Sequence, residues 1–476
     1  MPYKDVREFI SRLEKEGEAI RIEEEVDWNL EAGAMLRRSG EAGLPAPFFQ
    51  KVKGYPSGYR LFGGGMAKFR RMAIAMDLAP DTHPRELVEE YLRRKQGLIK
   101  PIIVHNGPCK ENVYVGDDVD LLKLPVPMIH QGDGGRYIGT WHATISKDPD
   151  SDWVNWGMYR HMLHNKNTVA VLYTHPSKHL GRMYAKSCES PDKPMPVAIA
   201  IGMEPISAMC ATTTLPYGVS EVDIAGAIRG EPVELIKCET VDLNIPASAE
   251  IVIEGEMRAN ERMKEGAFGE YSGYMAGIAE PRPVIHVKAV THRNNPILTM
   301  SCMGMPVDDN SVLSLTTAAA LLDTLRTAGL PVTSVSYPAE TGFMLAVVAV
   351  RDHSPHVADD IAHSIWGSKG GQMLPEIIIV DDDVDPFNPA QVFHALVTRC
   401  HPINGIVRLG RTSGTALWPW ASRYEQKSRI GARIYFDCTW PFDWDPSDIP
   451  KRMSFTEAYP SQVQQEALAK WSKYGY

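Results

Sequence analysis

Apolar residues near the start of the chain recur at helical spacing between charged residues. They are Val6, Phe9, Ile10 and Leu13. This pattern predicts an amphipathic helix over residues 4–17 that ends at Gly17. The following segment AIRIEEEVDW predicts a strand and a turn, residues 86–96 a short helix, and KPIIVHNG a strand. The Pro- and Gly-rich segment VDLLKLPVPMIHQGDGGRYIGTW predicts a loop that leads into a new domain.

From about residue 138 to 300 the pattern changes to short apolar runs separated by turn residues. The runs are YIGTWHATISKD, NTVAVLYTH, PVAIAIGM, EIVIEGEM and PVIHVKAVTHR. They predict strands of a barrel or sandwich, interrupted by one helix at residues 221–229 with Ser220 as its N-cap.

Beyond about residue 310 long helical and strand patterns alternate. SVLSLTTAAALLDTLRTAGL predicts a helix closed by Gly329, while GFMLAVVAV and EIIIVDDDVDP predict buried strands with helices between and after them. The tail SQVQQEALAKWSKYGY predicts a terminal helix. This stretch therefore predicts a second α/β domain.

The bulk composition is that of an ordinary globular protein. The 476 residues suggest two to four domains, and 44% hydrophobic with 23% charged residues is typical of soluble chains. A net charge of −9 without a long basic run argues against a nucleic-acid partner. The sequence contains no run of 18 apolar residues, so we expect no membrane span. The first residues do not resemble a signal peptide. Seven scattered cysteines without a CxxC pair favour reduced thiols and a cytoplasmic location.

The stretch NWGMYRHMLHNKNTVAVLYTHPSKH concentrates polar groups before and after a predicted strand. Asn155 and His179 are side chains that ligate metal ions, and Arg160 could hold a carboxylate through its two-pronged guanidinium. The alternative is a surface arginine with structural histidines. Familiar nucleotide-binding, zinc-protease and serine-hydrolase motifs are absent from the sequence.

Three further segments carry candidate chemistry. Glu221 begins a predicted helix, where a carboxylate is favoured electrostatically, although a simple helix-start residue is the alternative. In KEGAFGEYSGY, Glu265 and Glu270 would face opposite sides of a regular strand, but the surrounding glycines allow a bent path on which both converge. Lys369 lies among small residues before a buried strand and could hold a phosphate. Exposed loop residues remain the alternative for these last two segments.

The order of these motifs resembles the UbiD family of prenylated-FMN-dependent decarboxylases, which includes ferulic acid and bacterial aryl-acid decarboxylases. The motifs are Asn-Trp-x-x-x-Arg, Lys-His, Gly-Val-Ser-Glu, Glu-Gly-x-Phe-Gly-Glu, and Lys-Gly-Gly before the strand that precedes Asp-Asp-Asp-Val-Asp. The resemblance extends from the first helix to about residue 440. It implies an α+β fold with an N-terminal α/β segment, a split β-barrel flavin-binding domain and a C-terminal α/β oligomerisation domain. We place these at residues 1–115, 116–305 and 306–476.

The resemblance also implies roles for individual residues. Arg160, Glu265 and Glu270 match the family's catalytic set, with Glu270 as the proton donor. Asn155, His179 and Glu221 would ligate a divalent ion, usually Mn²⁺. A K⁺ ion would contact Glu221 and carbonyls of Trp156 and near Cys210 and Ala211. The residues expected to contact prenylated FMN are Asn155, Trp156, Gly157, Met158, Tyr159, Arg160, Lys178, His179, Glu221 and Lys369.

The implied reaction is a reversible, non-oxidative decarboxylation of an aromatic, heteroaromatic or α,β-unsaturated acid. A carboxylase acting in reverse and a non-catalytic flavin- or metal-binding subunit of a larger complex are the alternatives. Lys178 stands where ferulic acid decarboxylases carry glutamine, and ATTT at residues 211–214 also departs from those enzymes. Expected partners are a small carboxylic acid, a flavin prenyltransferase that supplies the cofactor, and further copies of this chain in a homodimer or homohexamer. We expect residues 310–440 to form that assembly, with SLTTAAALLDTL as an interface helix or a core helix.

Overall fold

A computed structural model describes residues 2–173, 178–276, 279–351 and 354–475. Within these ranges the chain has a mixed α/β fold built on three main sheets. The helices are α1 (Val6–Lys15), α2 (Glu31–Glu41), α3 (Phe69–Ala75), α4 (Pro84–Lys95), α5 (His179–Cys188), α6 (Pro205–Cys210), α7 (Glu221–Arg229), α8 (Leu313–Thr327), α9 (Val357–Gly367), α10 (Pro389–Thr398), α11 (Arg423–Ser428), α12 (Phe455–Ala458) and α13 (Ser461–Lys470).

The strands fall into the same described ranges. They are β1 (Ala19–Val26), β2 (Ala46–Val52), β3 (Arg60–Gly63), β4 (Ile102–Ile103), β5 (Asn112–Val115), β6 (Tyr137–Gly139), β7 (His142–Lys147), β8 (Val154–Gly157), β9 (Arg160–Asn165), β10 (Thr168–Leu172), β11 (Met195–Ile201), β12 (Glu234–Lys237), β13 (Asn244–Pro246), β14 (Ile251–Glu265), β15 (Phe268–Gly269), β16 (Met275–Ala276), β17 (Glu280–His292), β18 (Ile297–Met300), β19 (Val332–Ser336), β20 (Leu345–Val350), β21 (Glu376–Asp381), β22 (Ile406–Ser413) and β23 (Ile430–Cys438).

The first helix forms as the apolar spacing predicts. Asp5 caps α1 by accepting a hydrogen bond from the backbone N–H of Glu8, and the four predicted apolar side chains are buried. The chain then turns at Gly17, where φ is +70°, into a four-stranded sheet of order β1-β2-β3-β18. Because β18 comes from much later in the chain, this sheet joins the first segment to the middle of the protein.

The middle of the chain forms a nine-stranded antiparallel sheet of order β6-β9-β10-β17-β14-β11-β7-β8, with β5 paired to β17. Only Met158 and Tyr159 connect β8, at one end of this order, with β9, near the other end. In a flat sheet these two strands would lie about 29 Å apart, because neighbouring strands are spaced by about 4.8 Å. A link that short spans at most about 11 Å from Gly157 to Arg160. The sheet must therefore curl into a half-barrel, and the curl brings its two ends together.

The last sheet has the order β19-β20-β21-β23-β22, in which β20, β21 and β23 run parallel. The helix α8 packs beneath it, and nine of its fifteen residues are buried. Of the two roles expected for the SLTTAAALLDTL helix, the structure therefore supports the core role. Its buried face belongs to the fold, and only its remaining residues, such as Asp323 and Arg326, reach the surface.

Several element boundaries differ from the sequence predictions. The segment YIGTWHATISKD forms two strands, β6 and β7, instead of one, and KPIIVHNG contributes only the two residues of β4. Ser220 does precede α7, but its hydroxyl donates to the carbonyl of Val154 rather than capping the helix. Among the described residues, no helix is long and apolar enough to cross a membrane. All seven cysteines are free thiols.

Glu250 ties the first helix to the curled sheet through a buried ionic contact. Its side chain is fully buried and accepts two hydrogen bonds from Arg7, at 2.7 and 2.8 Å, and one from the backbone N–H of Ile297 at 3.0 Å. Arg293 approaches the same carboxylate at 3.2 Å. Removal of this carboxylate would leave two arginines without their central anion.

We expect Glu250→Ala to lower the free energy of unfolding by about 3 kcal/mol, the range for breaking a buried ion pair from one side. Glu14→Ala is the matched control, because Glu14 pairs with the half-exposed Arg21 and should cost less than about 1 kcal/mol. Chemical denaturation of the two variants would measure the difference. Equal losses would show that Glu250 does not join these elements.

Candidate active site

A cleft of about 260 Å³ lies between the curled sheet and the segment that begins with α8. Most of the residues predicted from the sequence line it: Asn155, Trp156, Gly157, Met158, Tyr159, Arg160, Lys178, His179, Ala211, Glu221, Glu270 and Lys369. Glu265 and Cys210 do not form its wall, although both are buried. The cleft is also lined by the apolar and aromatic side chains of Leu313, Tyr337 and Phe343.

The short link between β8 and β9 places two kinds of polar group side by side. Asn155 lies on β8 and Arg160 begins β9. Between them, Gly157 allows the ring of Tyr159 to fold back, because a Cβ at residue 157 would lie 2.5 Å from that ring. The hydroxyl of Tyr159 then accepts a hydrogen bond from the backbone N–H of Leu180, at 3.3 Å.

Arg160 joins the two glutamates that the glycine-rich segment was expected to bring together. Its Nε and Nη2 donate to the two carboxylate oxygens of Glu265 at 2.7 and 3.0 Å, and Nη1 donates to Glu270 at 2.5 Å. Gly266, with φ at +94°, lies in the bend that follows β14. The prediction that both carboxylates converge on one site therefore agrees with the geometry.

Burial acts on the pKa values of Arg160 and Glu270 in opposite directions. Burial lowers the pKa of Arg160, but the hydrogen bond to Glu265 and the charges of both glutamates outweigh it and raise that pKa above its ordinary value. Burial also raises the pKa of Glu270, although Arg160 opposes the shift. The arginine therefore stays charged, while Glu270 binds a proton more readily than an ordinary glutamate. Such a carboxyl can act as a general acid.

Tyr137 and Phe268 support the trio, and the sequence interpretation did not single them out. The Tyr137 hydroxyl donates to Glu265 at 2.9 Å. The guanidinium of Arg160 lies over the rings of Phe268 and Tyr137, at 5.2 and 6.0 Å from their centroids. The two rings pack together at 4.3 Å. Phe268 belongs to the Glu-Gly-x-Phe-Gly-Glu motif, but its position in the motif alone does not predict a contact with Arg160.

A second group in the same cleft combines possible metal ligands with a lysine. His179 Nδ1 donates to the Asn155 amide oxygen at 2.8 Å, and Glu221 accepts from the backbone N–H of Trp156 at 2.8 Å. Lys369 donates to His179 Nε2 and to the Leu215 carbonyl, each at 2.5 Å. The lone pair of His179 Nε2 therefore already faces a cationic group.

The pKa shifts in this group are those expected of a site that binds a cation and an anion. Burial, together with Lys369, lowers the pKa of His179 to about 4, so the ring is neutral and able to ligate a metal. Burial raises the pKa of Glu221 to about 8, because an isolated carboxylate is poorly solvated there. Burial and the neighbouring Lys178 lower the pKa of Lys369 to about 8. A divalent cation at Glu221 would stabilise the ionised carboxylate, and an anion near Lys178 and Lys369 would stabilise their positive charges.

The donor set of this group is an amide oxygen, an imidazole and a carboxylate, which suits a divalent ion. In the described ranges, no three His, Cys, Asp or Glu side chains form a metal-binding cluster, so the set depends on the amide oxygen of Asn155. Among the carbonyls expected near K⁺, that of Cys210 accepts from the backbone N–H of Thr213, at 3.0 Å. Ala211 lies on the cleft wall.

The remaining histidines of the stretch are separate from this group. His161 is buried against the Thr144 hydroxyl, at 2.8 Å, and burial lowers its pKa well below the ordinary value. His164 is exposed and bonds the carbonyl of Lys264. His175 lies outside the described residues.

Comparisons with known proteins match most of the chain. Domain descriptions of 3-octaprenyl-4-hydroxybenzoate carboxy-lyase match residues 10–91 (N-terminal domain), 102–306 (Rift-related domain) and 310–438 (C-terminal domain). The chain belongs to the UbiD family of carboxy-lyases.

The similarity of this UbiD-family chain extends to characterised relatives. It is 34% identical to the pyrrole-2-carboxylic acid decarboxylase of Pseudomonas aeruginosa, over 99% of this chain and 98% of that protein. Its fold is similar to the vanillic acid decarboxylase of Sedimentibacter hydroxybenzoicus in closed form, with a TM-score of 0.89, 28% identity and coverage of 99% and 100%. It is also similar to an evolved dimeric UbiD-class enzyme from Pelotomaculum thermopropionicum in complex with prFMN, with a TM-score of 0.82, 27% identity and coverage of 98% and 100%.

Proposed function

We propose that the protein uses prenylated FMN to decarboxylate an aromatic, heteroaromatic or α,β-unsaturated acid reversibly, with Glu270 as the proton donor. The observation that carries the proposal is the contact of Arg160 with two buried glutamates, Glu265 and Glu270, of which Glu270 lines the cleft together with Arg160. The apolar and aromatic lining residues Leu313, Tyr337 and Phe343 suit a planar, weakly polar substrate. The named relatives act on acids of this class.

The residues of the chain would divide the work as follows. Loss of CO₂ from an unsaturated carbon leaves electrons that side chains cannot delocalise, and the prenylated flavin supplies that electron sink when it is bound. Arg160 would orient the substrate carboxylate through its guanidinium. Glu265 would hold Arg160 in place, and Glu270 would protonate the carbon after CO₂ has left. In the carboxylation direction Glu270 would remove the same proton.

Cations and lysines would hold the phosphate of the cofactor. Asn155, His179 and Glu221 would ligate Mn²⁺, and K⁺ would contact Glu221 and nearby carbonyls. Lys369 and Lys178 lie close to this group, and burial lowers the pKa of each. Because neighbouring buried cations repel one another, an anionic phosphate would stabilise them. A non-catalytic binding subunit would need this group but would not need Arg160, Glu265 and Glu270, so the intact trio favours an enzyme.

We expect further copies of the chain to assemble as a homodimer or homohexamer. The accessible surface is 21168 Å², whereas a compact monomer of this mass has about 17,700 Å². Exposed apolar residues of the C-terminal part include Phe393 and Val397 on α10 and Ile403 beyond it, which are 63, 80 and 79% exposed. Because α8 is buried, we place the interface on this surface rather than on α8.

The cofactor assignment predicts what the purified protein carries. After co-expression with a flavin prenyltransferase, mass spectrometry should detect prenylated FMN, and elemental analysis should detect manganese and potassium. His179→Ala should retain much less flavin, because loss of one ligand weakens a metal site. His164→Ala is the matched control and should retain the wild-type amount. Folded wild-type protein without any flavin would contradict the assignment.

The proton-donor assignment predicts the effect of a nearly isosteric change. Glu270→Gln should bind flavin normally yet lose turnover by at least about 10²–10⁴-fold, since glutamine cannot donate the proton. It should also fail to exchange the product's hydrogen with deuterium from solvent. The exposed Glu280→Gln serves as the control. Turnover of Glu270→Gln within about tenfold of wild type would point to Glu265 as the acid.

The assembly prediction concerns the exposed face of α10. Light scattering at micromolar concentration should give the mass of a dimer or hexamer for wild type. Phe393→Asp combined with Val397→Asp should shift the mass toward the monomer, because two charges would be buried at the contact. Ser57→Asp, at an exposed residue outside the C-terminal part of the chain, should leave the mass unchanged. A monomeric wild type would contradict the proposed assembly.

A further inference from the structure

The segment HQGDGGRY, residues 130–137, lies directly against the bend that carries the two glutamates. The backbone N–H of Gly134 donates to the carbonyl of Ala267 at 2.7 Å. A Cβ on Gly134 would lie 1.9 Å from the Gly266 carbonyl oxygen, and one on Gly269 would lie 2.5 Å from the His130 ring. Glycines on both sides therefore allow the two backbones to touch. This contact gives a structural reason for two of the glycines in GDGGRY and GAFGE.

Asp133 makes the polar connection between the two segments. Its side chain is fully buried. One carboxylate oxygen accepts from the backbone N–H of Gly269 at 2.9 Å, and the other accepts from the backbone N–H of His130 at 3.0 Å. Both carboxylate oxygens of Asp133 therefore accept hydrogen bonds, and one of these bonds is to Gly269, which immediately precedes Glu270.

His130 balances the charge of Asp133 and anchors it to another part of the fold. Its Nδ1 lies 3.3 Å from the Asp133 carboxylate, and its Nε2 donates to the Met303 carbonyl at 2.8 Å. Burial lowers the pKa of His130, but the hydrogen bonds to Asp133 and Cys302 outweigh it and raise the pKa to about 10. A buried aspartate with a protonated partner is a rigid attachment point, because an unpaired charge would be costly there.

We propose that Asp133 is a positioning residue that fixes Glu270, through the backbone of Gly269, in the place from which it donates a proton. This inference rests on the proposed role of Glu270. Asp133 itself touches none of Arg160, Glu265 and Glu270 in the hydrogen bonds of the described residues. Its effect is therefore on geometry, where a displacement of about 1 Å can cost about 10²-fold in rate.

Asp133→Asn is the informative substitution, because an amide has one acceptor oxygen where the carboxylate has two. In the variant, either Gly269 or His130 must face an NH₂ group instead of an acceptor. Asp120→Asn is the matched control, since Asp120 also accepts a backbone N–H, from Leu122 at 3.0 Å, and is not part of the cleft wall. Both variants would be tested as flavin-loaded enzyme.

We expect Asp133→Asn to lower kcat by about 10- to 100-fold with KM changed by less than about threefold, because Glu265 and Tyr137 still hold Arg160. Solvent deuterium exchange into the product should slow in parallel. Amide hydrogen exchange, followed by mass spectrometry of a peptide covering residues 262–275, should become faster because Gly269 loses its acceptor. Flavin content should match wild type. Asp120→Asn should change none of these quantities.

A kcat of Asp133→Asn within about threefold of wild type, or unchanged amide exchange, would overturn the proposal. Lower flavin content and thermal stability together with a raised KM would also overturn it, since that pattern indicates a general role in folding. If Asp133→Asn does not fold, His130→Gln replaces it, because glutamine can still reach Met303 but removes the charge beside Asp133. The same kinetic and exchange changes, smaller in size, are then expected, and their absence overturns the proposal.

The amide-exchange measurement also separates this proposal from the proposed function. If Glu270→Gln retained full turnover, the role of Glu270 would be wrong, and faster exchange in Asp133→Asn would still show that Asp133 holds Gly269. If Glu270→Gln lost turnover while Asp133→Asn kept both its turnover and its exchange rate, the proposed function would stand and the positioning role would fail.

Discussion

The two-residue link between β8 and β9 is the constraint on which the site depends. Met158 and Tyr159 connect strands from opposite ends of a sheet order, and so short a connection requires the sheet to curl. Asn155, on β8, and Arg160, at the start of β9, therefore lie on the two strands that this link joins. A metal-ligand candidate and a carboxylate-binding arginine can then serve one cleft.

Within the curled sheet, charge accounts for the arrangement around Arg160. Two buried carboxylates share one guanidinium, so the trio carries one excess negative charge whenever both glutamates are ionised. Burial opposes that state, and the raised pKa of Glu270 is the result. Glu265 accepts hydrogen bonds from both Arg160 and Tyr137, whereas Glu270 accepts one from Arg160. The two glutamates therefore have different hydrogen-bond environments although their residue type is the same.

The cationic part of the cleft follows from a different imbalance. Burial lowers the pKa of His179, and the charges of Lys369 and Lys178 lower it further. Burial also lowers the pKa of Lys369, and Lys178 adds to that shift. Excess positive charge beside a buried Glu221 suits a site where a phosphate and metal ions bind together. These lysines come from distant parts of the chain, and the Lys369–His179 contact spans 190 residues.

Local patterns predicted much of this structure, and long-range contacts account for what they missed. The alternating apolar strands and the glycine bend between Glu265 and Glu270 were visible in the sequence, because strand period and φ freedom are local properties. The segment around Asp133 was read only as a loop, since its partners Gly269 and Met303 lie more than 130 residues away. The pattern of YIGTWHATISKD does not reveal that it forms two strands. Both β6 and β7 are buried along nearly their whole length, so no alternation of polar and apolar residues marks where one ends and the other begins.

The central claim is that Glu270 holds a proton more firmly than an ordinary glutamate while it contacts Arg160. Infrared difference spectroscopy of wild type against Glu270→Gln, over a series of pH values, measures this directly through the carbonyl stretch of a protonated carboxyl. We predict a band that is lost in Glu270→Gln and that titrates above the ordinary glutamate pKa of about 4.3. A band that titrates at or below that value, or that persists in Glu270→Gln, would contradict the account.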